Sequence, residues 1–462
     1  MKWLPPAPAP APPARRHRRA LGVLLVGTLL VLSAAALPAR SSPARPPVFQ
    51  ADTSTSEFMV GGVHVILRRN TANDVVAANL YLLGGVQQLT AATQGIEPFL
   101  LASSERGTRH YPKEALRTKM NRLGSTIVIE PEDDWTIFGL RAIRTTFDSS
   151  WMILADRVMY PTLDSTEVEL VRGQLLASVR QARLQPDVLL RQLADSLLYQ
   201  GHPYALAPDG TEQALSTITV AMLRDYEARQ MLASRMLLVV VGNVERPQLE
   251  ALVRGTLARL PSGSYRWQAP SPVTSAHRAL LVEPMSLPTN YILGYYAGPP
   301  AGSRDYTALR VATAVLSGRF FTEIRSKRNL SYAVDAPFVE RAQSTGGVYV
   351  TTVDPDQTLR VMRDQLDELQ REIVDPEGLK RLVQQFITDY FLKNETNADQ
   401  ATFLARAAVY QGDYRAANRF VDELRQVQPA DVRRAAREYM HDFRFVYLGD
   451  PAKLTRGITE RF

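Results

Sequence analysis

The chain has no cysteine. That excludes disulfides, thiolate metal sites, a cysteine nucleophile and a lipidated cysteine anchor. Histidine is scarce: His17, His64, His110, His202, His277 and His441 are the whole complement. None has a second histidine within one helical turn, so no helical pair of imidazoles is available to a metal. A surplus of one charge sign is also missing from the body of the chain. The formal net charge is +7, and residues 1–45 hold seven cations (Lys2, Arg15, Arg16, Arg18, Arg19, Arg40, Arg45) and no acid. The remainder is neutral, so the electrostatic footprint of a nucleic-acid binder is not indicated.

What is present begins with length. A chain of 462 residues exceeds one ordinary core, and two or more domains are expected. The basic cluster RRHRR precedes an apolar run over 21–37, followed by small residues. This predicts an exported protein, with a signal peptide over 1–39 cleaved near Ala36 or Ala39. An uncleaved N-terminal membrane anchor is the alternative, and either reading places the chain in the periplasm or cell envelope. Residues 40–55 read as a disordered linker.

The body predicts alternating helices and strands. Residues 58–67 alternate like one strand, and 75–83 follow as a second. The stretch GIEPFLLASSERGT (95–108) predicts a short, largely apolar helix, with Gly95 and Pro98 near its start and Gly107 at its end. Further helices are expected over 113–123, 147–159, 165–183, 186–199 and 220–231. Strands are expected over 125–130, 136–144 and 236–241, the first two around the acidic turn 132–134. The helix over 165–183 opens with Asp164 and Glu167 as a capping box. Val168, Val171, Leu175, Ser178 and Ala182 fall on one stripe at helical spacing. Ser178 is then a polar residue on an apolar face; the plain reading is a serine bonded back to the carbonyl one turn earlier.

Residues 261–277 read as a linker, after which the pattern restarts. Strands are expected over 279–283, 291–296, 331–339 and 347–353. Helices are expected over 306–316, 320–327, 358–371, 376–392, 402–411 and 417–427. The two halves end alike. ITVAMLRDYEARQM from Ile218 matches VQPADVRRAAREYM from Val427, each followed by an apolar strand running into glycine. This implies a duplicated domain. The expected fold class is α+β, two homologous domains (56–260 and 278–462), each a mainly antiparallel sheet packed with helices.

These markers together, GIEPFLLASSERGT, GHPYALAPDGTEQALSTIT, VVVGNV and SGRFFTEIRSKRNLSYAV, resemble the insulinase/pitrilysin family of metallopeptidases. More narrowly, the chain resembles the two-domain branch that includes the mitochondrial processing peptidase subunits. The likeness spans about residues 55–450. Active members carry an inverted motif, His-x-x-Glu-His, on the first helix, with a distal glutamate on a later one. The histidines and distal glutamate hold zinc, and the motif glutamate is the general base. Anchored on Gly95 and Gly107, the resemblance puts the histidines at Pro98 and Ala102, the base at Leu101 and the distal ligand at Ser178. None of the four has the required chemistry. Nearby Glu97 and Glu105 could not make a nitrogen-rich site alone, so no metal is expected on this chain.

The second half keeps more. The resemblance maps the family's substrate-contacting arginine and tyrosine to Arg325 and Tyr332, with Arg328 a weaker candidate. An arginine there can hold a peptide carbonyl, and a phenol can donate to an oxyanion. Read from the residues alone, Arg325 is a cation near a helix C-terminus and Tyr332 a strand aromatic. The strand over 125–130 is either the edge onto which a peptide is added or an ordinary sheet member. The implied function is a non-catalytic, zinc-less subunit of a heteromeric peptidase, with zinc only in a partner of the same fold. A non-enzymatic peptide-binding or scaffold protein of the envelope is the alternative.

Overall fold

A computed structural model describes residues 54–462 apart from 274–276. The predicted signal or anchor segment, and the linker up to residue 53, lie outside the described residues.

In the first half, β1 (Thr55–Val60) and β2 (Val63–Arg69) form a hairpin where one strand was expected. Gly61 and Gly62 have φ of +55° and +91°, a two-residue turn that only glycine enters freely. The apolar alternation runs on across the turn, which hid it. Then come β3 (Val75–Leu83), α1 (Ile96–Ser103), α2 (Lys113–Leu123), β4 (Thr126–Pro131), β5 (Trp135–Ile143) and α3 (Phe147–Met159). They are followed by α4 (Ser165–Arg183), α5 (Pro186–Leu198), α6 (Glu212–Thr217), α7 (Val220–Gln230), β6 (Met236–Gly242) and α8 (Arg246–Gly255). The sequence reading missed α8, although Pro247 opens it and Leu249 and Val253, one turn apart, are its buried residues.

The second half holds β7 (Ala279–Pro284), β8 (Asn290–Pro300), α9 (Arg304–Phe320), a π-helical turn Phe321–Ser326, β9 (Val334–Asp335), β10 (Phe338–Val339) and β11 (Gln343–Thr352). After these come α10 (Pro355–Arg371), α11 (Pro376–Lys393), α12 (Asn397–Gln411), α13 (Ala416–Gln426), α14 (Pro429–Tyr439) and β12 (Arg444–Gly449). Two helices expected over 306–327 are one continuous element. The strand expected over 331–339 shrinks to β9 and β10.

The halves share one topology. The first sheet runs β1-β2-β6-β3-β5-β4 and the second β7-β12-β8-β11-β10, with β9 also on β11. β2 pairs parallel with β6 and β7 parallel with β12, and all other pairs are antiparallel. Thus β2, β6, β3 and β5 correspond to β7, β12, β8 and β11. The similar segments seen in the sequence are α7–β6 and α14–β12. The α+β class expected from the sequence is the one observed.

Each sheet covers one face with its own helices. Leu80, Phe138, Leu140, Leu238 and Val240 meet Phe99 of α1, Trp151 of α3 and Val168 of α4. In the second half, Tyr296, Val348 and Phe445 meet Leu309 and Leu316 of α9 and Val432 of α14. The other face of each sheet is covered by a helix of the opposite half. Ala401, Leu404 and Ala405 of α12 pack on Tyr81, Ile137 and Val239. Leu189, Leu190 and Ala194 of α5 pack on Leu293, Tyr295 and Val446. A sheet with two apolar faces needs two covers, and the reciprocal exchange provides both.

Candidate functional site

The start of α1 is fixed by a close backbone approach. Gly95 caps it at φ +81°, and a Cβ there would lie 2.7 Å from the Cα of Gly210, itself at φ +93°. Two facing glycines thus join the 95–108 stretch to the GHPYALAPDG loop. Pro98 occupies the first turn, whose amides have no helical acceptor, so its missing N–H is harmless.

Pro98 and Leu101 are buried, and Ala102 is partly buried against the core. The Leu101 carbonyl accepts from Ser104 Oγ at 2.6 Å and from Arg157 Nη2 at 3.0 Å. Glu97 is buried too, paired with the fully buried Arg235 at 2.6 Å. It also accepts from the Tyr226 hydroxyl at 2.9 Å. Burial by itself would lower the Arg235 guanidinium; Glu97 reverses that, and it is held above its usual range. Glu97 is therefore committed to a neutralised internal pair.

Helix α4 lies against α1, with the Arg172 guanidinium 5.2 Å from the Phe99 ring centre. Asp164 caps it through the amides of Thr166 and Glu167, but the Glu167 side chain turns to Lys113 at 2.7 Å. Ser178 departs from expectation: it is exposed. The buried stripe of Val168 and Val171 continues through the partly buried Leu175 and Val179. At 3.6 residues per turn the face drifts, and Val179 takes the inward place assigned to Ser178. Among the described residues its hydroxyl makes no bond back to the preceding turn.

The zinc-site residues implied by the family do not fit a metal here. Pro98, Leu101 and Ala102 carry no ligand atom, and the neighbouring Glu97 is engaged by Arg235. Among the described residues no three His, Asp or Glu side chains converge as a group that could hold a metal. His110, the nearest imidazole in sequence, bonds Asp156 at 2.6 Å.

Beside α1 runs β4, and among the described residues it is an edge strand, paired only with β5. Ile127 and Ile129 lean on the core. The Glu132 amide donates to the Trp135 carbonyl at 2.9 Å, which fixes the ladder's phase. Val128 and Glu130 then bond to β5, while the backbone groups of Ile127 and Ile129 face outward. Pro131, next in the outward set, has no N–H to offer.

Arg325 and Tyr332 come together in the second half. The guanidinium lies 4.3 Å from the Tyr332 ring centre and 5.1 Å from that of Phe321. Tyr332 is 82% exposed and Phe321 49% exposed. The neighbouring cations are neutralised: Lys327 and Arg328 both pair with Glu323 at 2.6 Å. Arg325 has no carboxylate partner among the described residues. Arg328 is thus held by Glu323, while Phe321, which sequence reasoning passed over, stands beside the Arg325–Tyr332 pair. Its signal was the i, i+4 spacing from Arg325.

The two halves touch near the corner between α4 and α5. Tyr349 of β11 donates to Asp187 of α5 at 2.7 Å, and β11 pairs Tyr349 with Asp335. Ser178 is about 7.5 Å along α4 from its last residue. Tyr332 is roughly 10 Å of extended chain from Asp335.

Comparison with known proteins agrees with this fold. A family model described as the peptidase M16 inactive domain matches residues 217–386. An uncharacterized zinc protease of Mycobacterium tuberculosis is 24% identical over 414 residues, covering 87% of this chain and 93% of that protein. The mitochondrial-processing peptidase subunit beta of Blastocladiella emersonii is 22% identical over 400 residues, covering 82% and 85%. The crystal structure of a peptidase M16 inactive domain from Pseudomonas fluorescens superposes with a TM-score of 0.77 at 20% identity, covering 86% of this chain and 98% of that one. A matched domain over 217–386, relatives similar over most of their length and a shared fold make the chain similar to the peptidases and peptidase homologues of the insulinase (M16) family.

Proposed function

We propose that this chain is the zinc-less subunit of a heteromeric insulinase-like peptidase of the cell envelope. A partner of the same fold carries the metal-dependent step. This chain supplies the outward edge of β4, which adds a peptide as a further strand, together with Arg325 and Tyr332. The Arg325 guanidinium donates to a peptide carbonyl, and the Tyr332 hydroxyl donates to the oxygen of a carbonyl becoming tetrahedral.

One contrast carries the reading. The ligand and base positions on α1 hold packed apolar side chains, while Arg325, unlike its neutralised neighbours, remains uncommitted and stacked between aromatic rings. Export rests on the basic and apolar N-terminal segment. Among the described residues no helix is long and apolar enough to cross a membrane.

A pull-down of the full chain from the envelope fraction tests the partnership. Recovery of a homologue with an intact His-x-x-Glu-His motif supports it. Self-association and peptide binding with no such homologue would favour the scaffold reading instead.

A further inference from the structure

The hairpin tips of the two sheets meet. Residues 132–134 join β4 to β5, and 340–342 join β10 to β11 at the corresponding place. The buried Arg341 donates to Asp133 at 2.8 Å and to Asp195 of α5 at 2.5 Å. Asp134 accepts from the Ala342 amide at 2.9 Å and from the hydroxyls of Tyr204 and Tyr410, each at 2.7 Å. Arg406 of α12 joins Glu340 at 2.6 Å and reaches Glu132 at 4.0 Å, and Arg310 of α9 also holds Glu340. Both exchanged helices, α5 and α12, therefore end their packing on this junction.

Its charges do not balance. Five carboxylates (Glu132, Asp133, Asp134, Asp195, Glu340) face three guanidiniums (Arg310, Arg341, Arg406), with the Lys393 ammonium acting on Glu340. Asp133 and Asp195 share one guanidinium. Asp134 is held by neutral donors. His202, whose ring lies 4.9 Å from that of Tyr204, is lowered by burial. Tyr199 and Tyr204, whose rings lie 4.8 and 4.9 Å from the Arg341 guanidinium, are both raised by burial and stay neutral.

We propose that this junction is a proton-loaded latch between the halves: a proton on Asp133 lets it and Asp195 share Arg341, and losing that proton loosens the meeting of the two tips. The protonated carboxyl keeps a carbonyl oxygen to accept from Arg341, so protonation removes repulsion without removing the contact. Burial, with Asp195, Asp134 and Glu132 adding to it and Arg341 opposing, pushes the Asp133 carboxyl up from 3.8 to about 7. The folded chain thus binds this proton more tightly than the unfolded chain. The stability it contributes is complete below pH 3.8 and is lost as pH rises through about 7. Acidification tightens the latch. Its loosening reaches α5, whose first turn is tied to β11 through Asp187 and Tyr349.

Urea unfolding of the full chain at closely spaced pH values between 5 and 8 tests this. Between pH 5 and 6.5 the unfolding constant of the parent should rise about tenfold per pH unit more steeply than that of Asp133→Asn. Asp195→Asn removes one neighbouring charge and should move the steep limb to lower pH. Parallel curves for the parent and Asp133→Asn overturn the proposal. Should Asp133→Asn fail to fold, the Asp195→Asn curve decides, and an unmoved limb overturns it.

Discussion

Glu97 sits beside the lost metal motif, and what it does depends on a residue far away in the chain. Glu97→Gln leaves Arg235 fully buried without its counter-charge. A loss of about 3–5 kcal/mol in unfolding free energy is expected by urea titration. The acid itself was visible in the sequence; its partner was not, because nothing local marks Arg235 as buried. Arg325 is the converse case. Its position was legible from the resemblance, while its freedom from Glu323 and its stacking on Phe321 needed three dimensions. If the flat guanidinium is what grips a peptide, Arg325→Lys should weaken peptide binding about tenfold, since an ammonium neither stacks nor donates in a plane. Isothermal titration with an unstructured peptide measures this, and unchanged affinity would remove Arg325 from the site. Ser178 marks where counting residues stopped working: positions 178 and 179 both fit a helical stripe, and packing selected Val179.

Among the elements, β4 makes the sharpest prediction. The ladder phase set by Glu132 and Trp135 leaves the Ile127 and Ile129 amides pointing outward. A peptide added to this edge should slow hydrogen exchange at those two amides. Val128 and Glu130, already bonded to β5, should change little. Equal protection along the strand, or none, would place the peptide elsewhere. Most elements were readable because their start signals are local: Pro112 before α2, Asp164 before α4 and Asp375-Pro376 before α11. The β1–β2 turn escaped because it does not interrupt the apolar pattern around it, and α8 was passed over although Pro247 marks its start.

At the scale of the whole molecule, the duplication was legible in the two similar segments, since a repeated helix–strand unit keeps its apolar pattern. The exchange of α5 and α12 was not, because a helix that covers its own sheet and one that covers its neighbour's have the same amphipathic face. The meeting of the hairpin tips was equally hidden: the acidic triplet 132–134 reads as a solvated turn until Arg341 is placed against it. The account as a whole says that one half has lost its chemistry and the other keeps its grip. Peptide hydrolysis measured with the chain alone, with a zinc-bearing homologue, and with the homologue plus the Arg325→Ala variant tests this most directly. The account predicts no cleavage by the chain alone, a gain when the parent chain is added to the homologue, and no gain with the variant. Cleavage by the isolated chain, or a variant that activates as well as the parent, would contradict it.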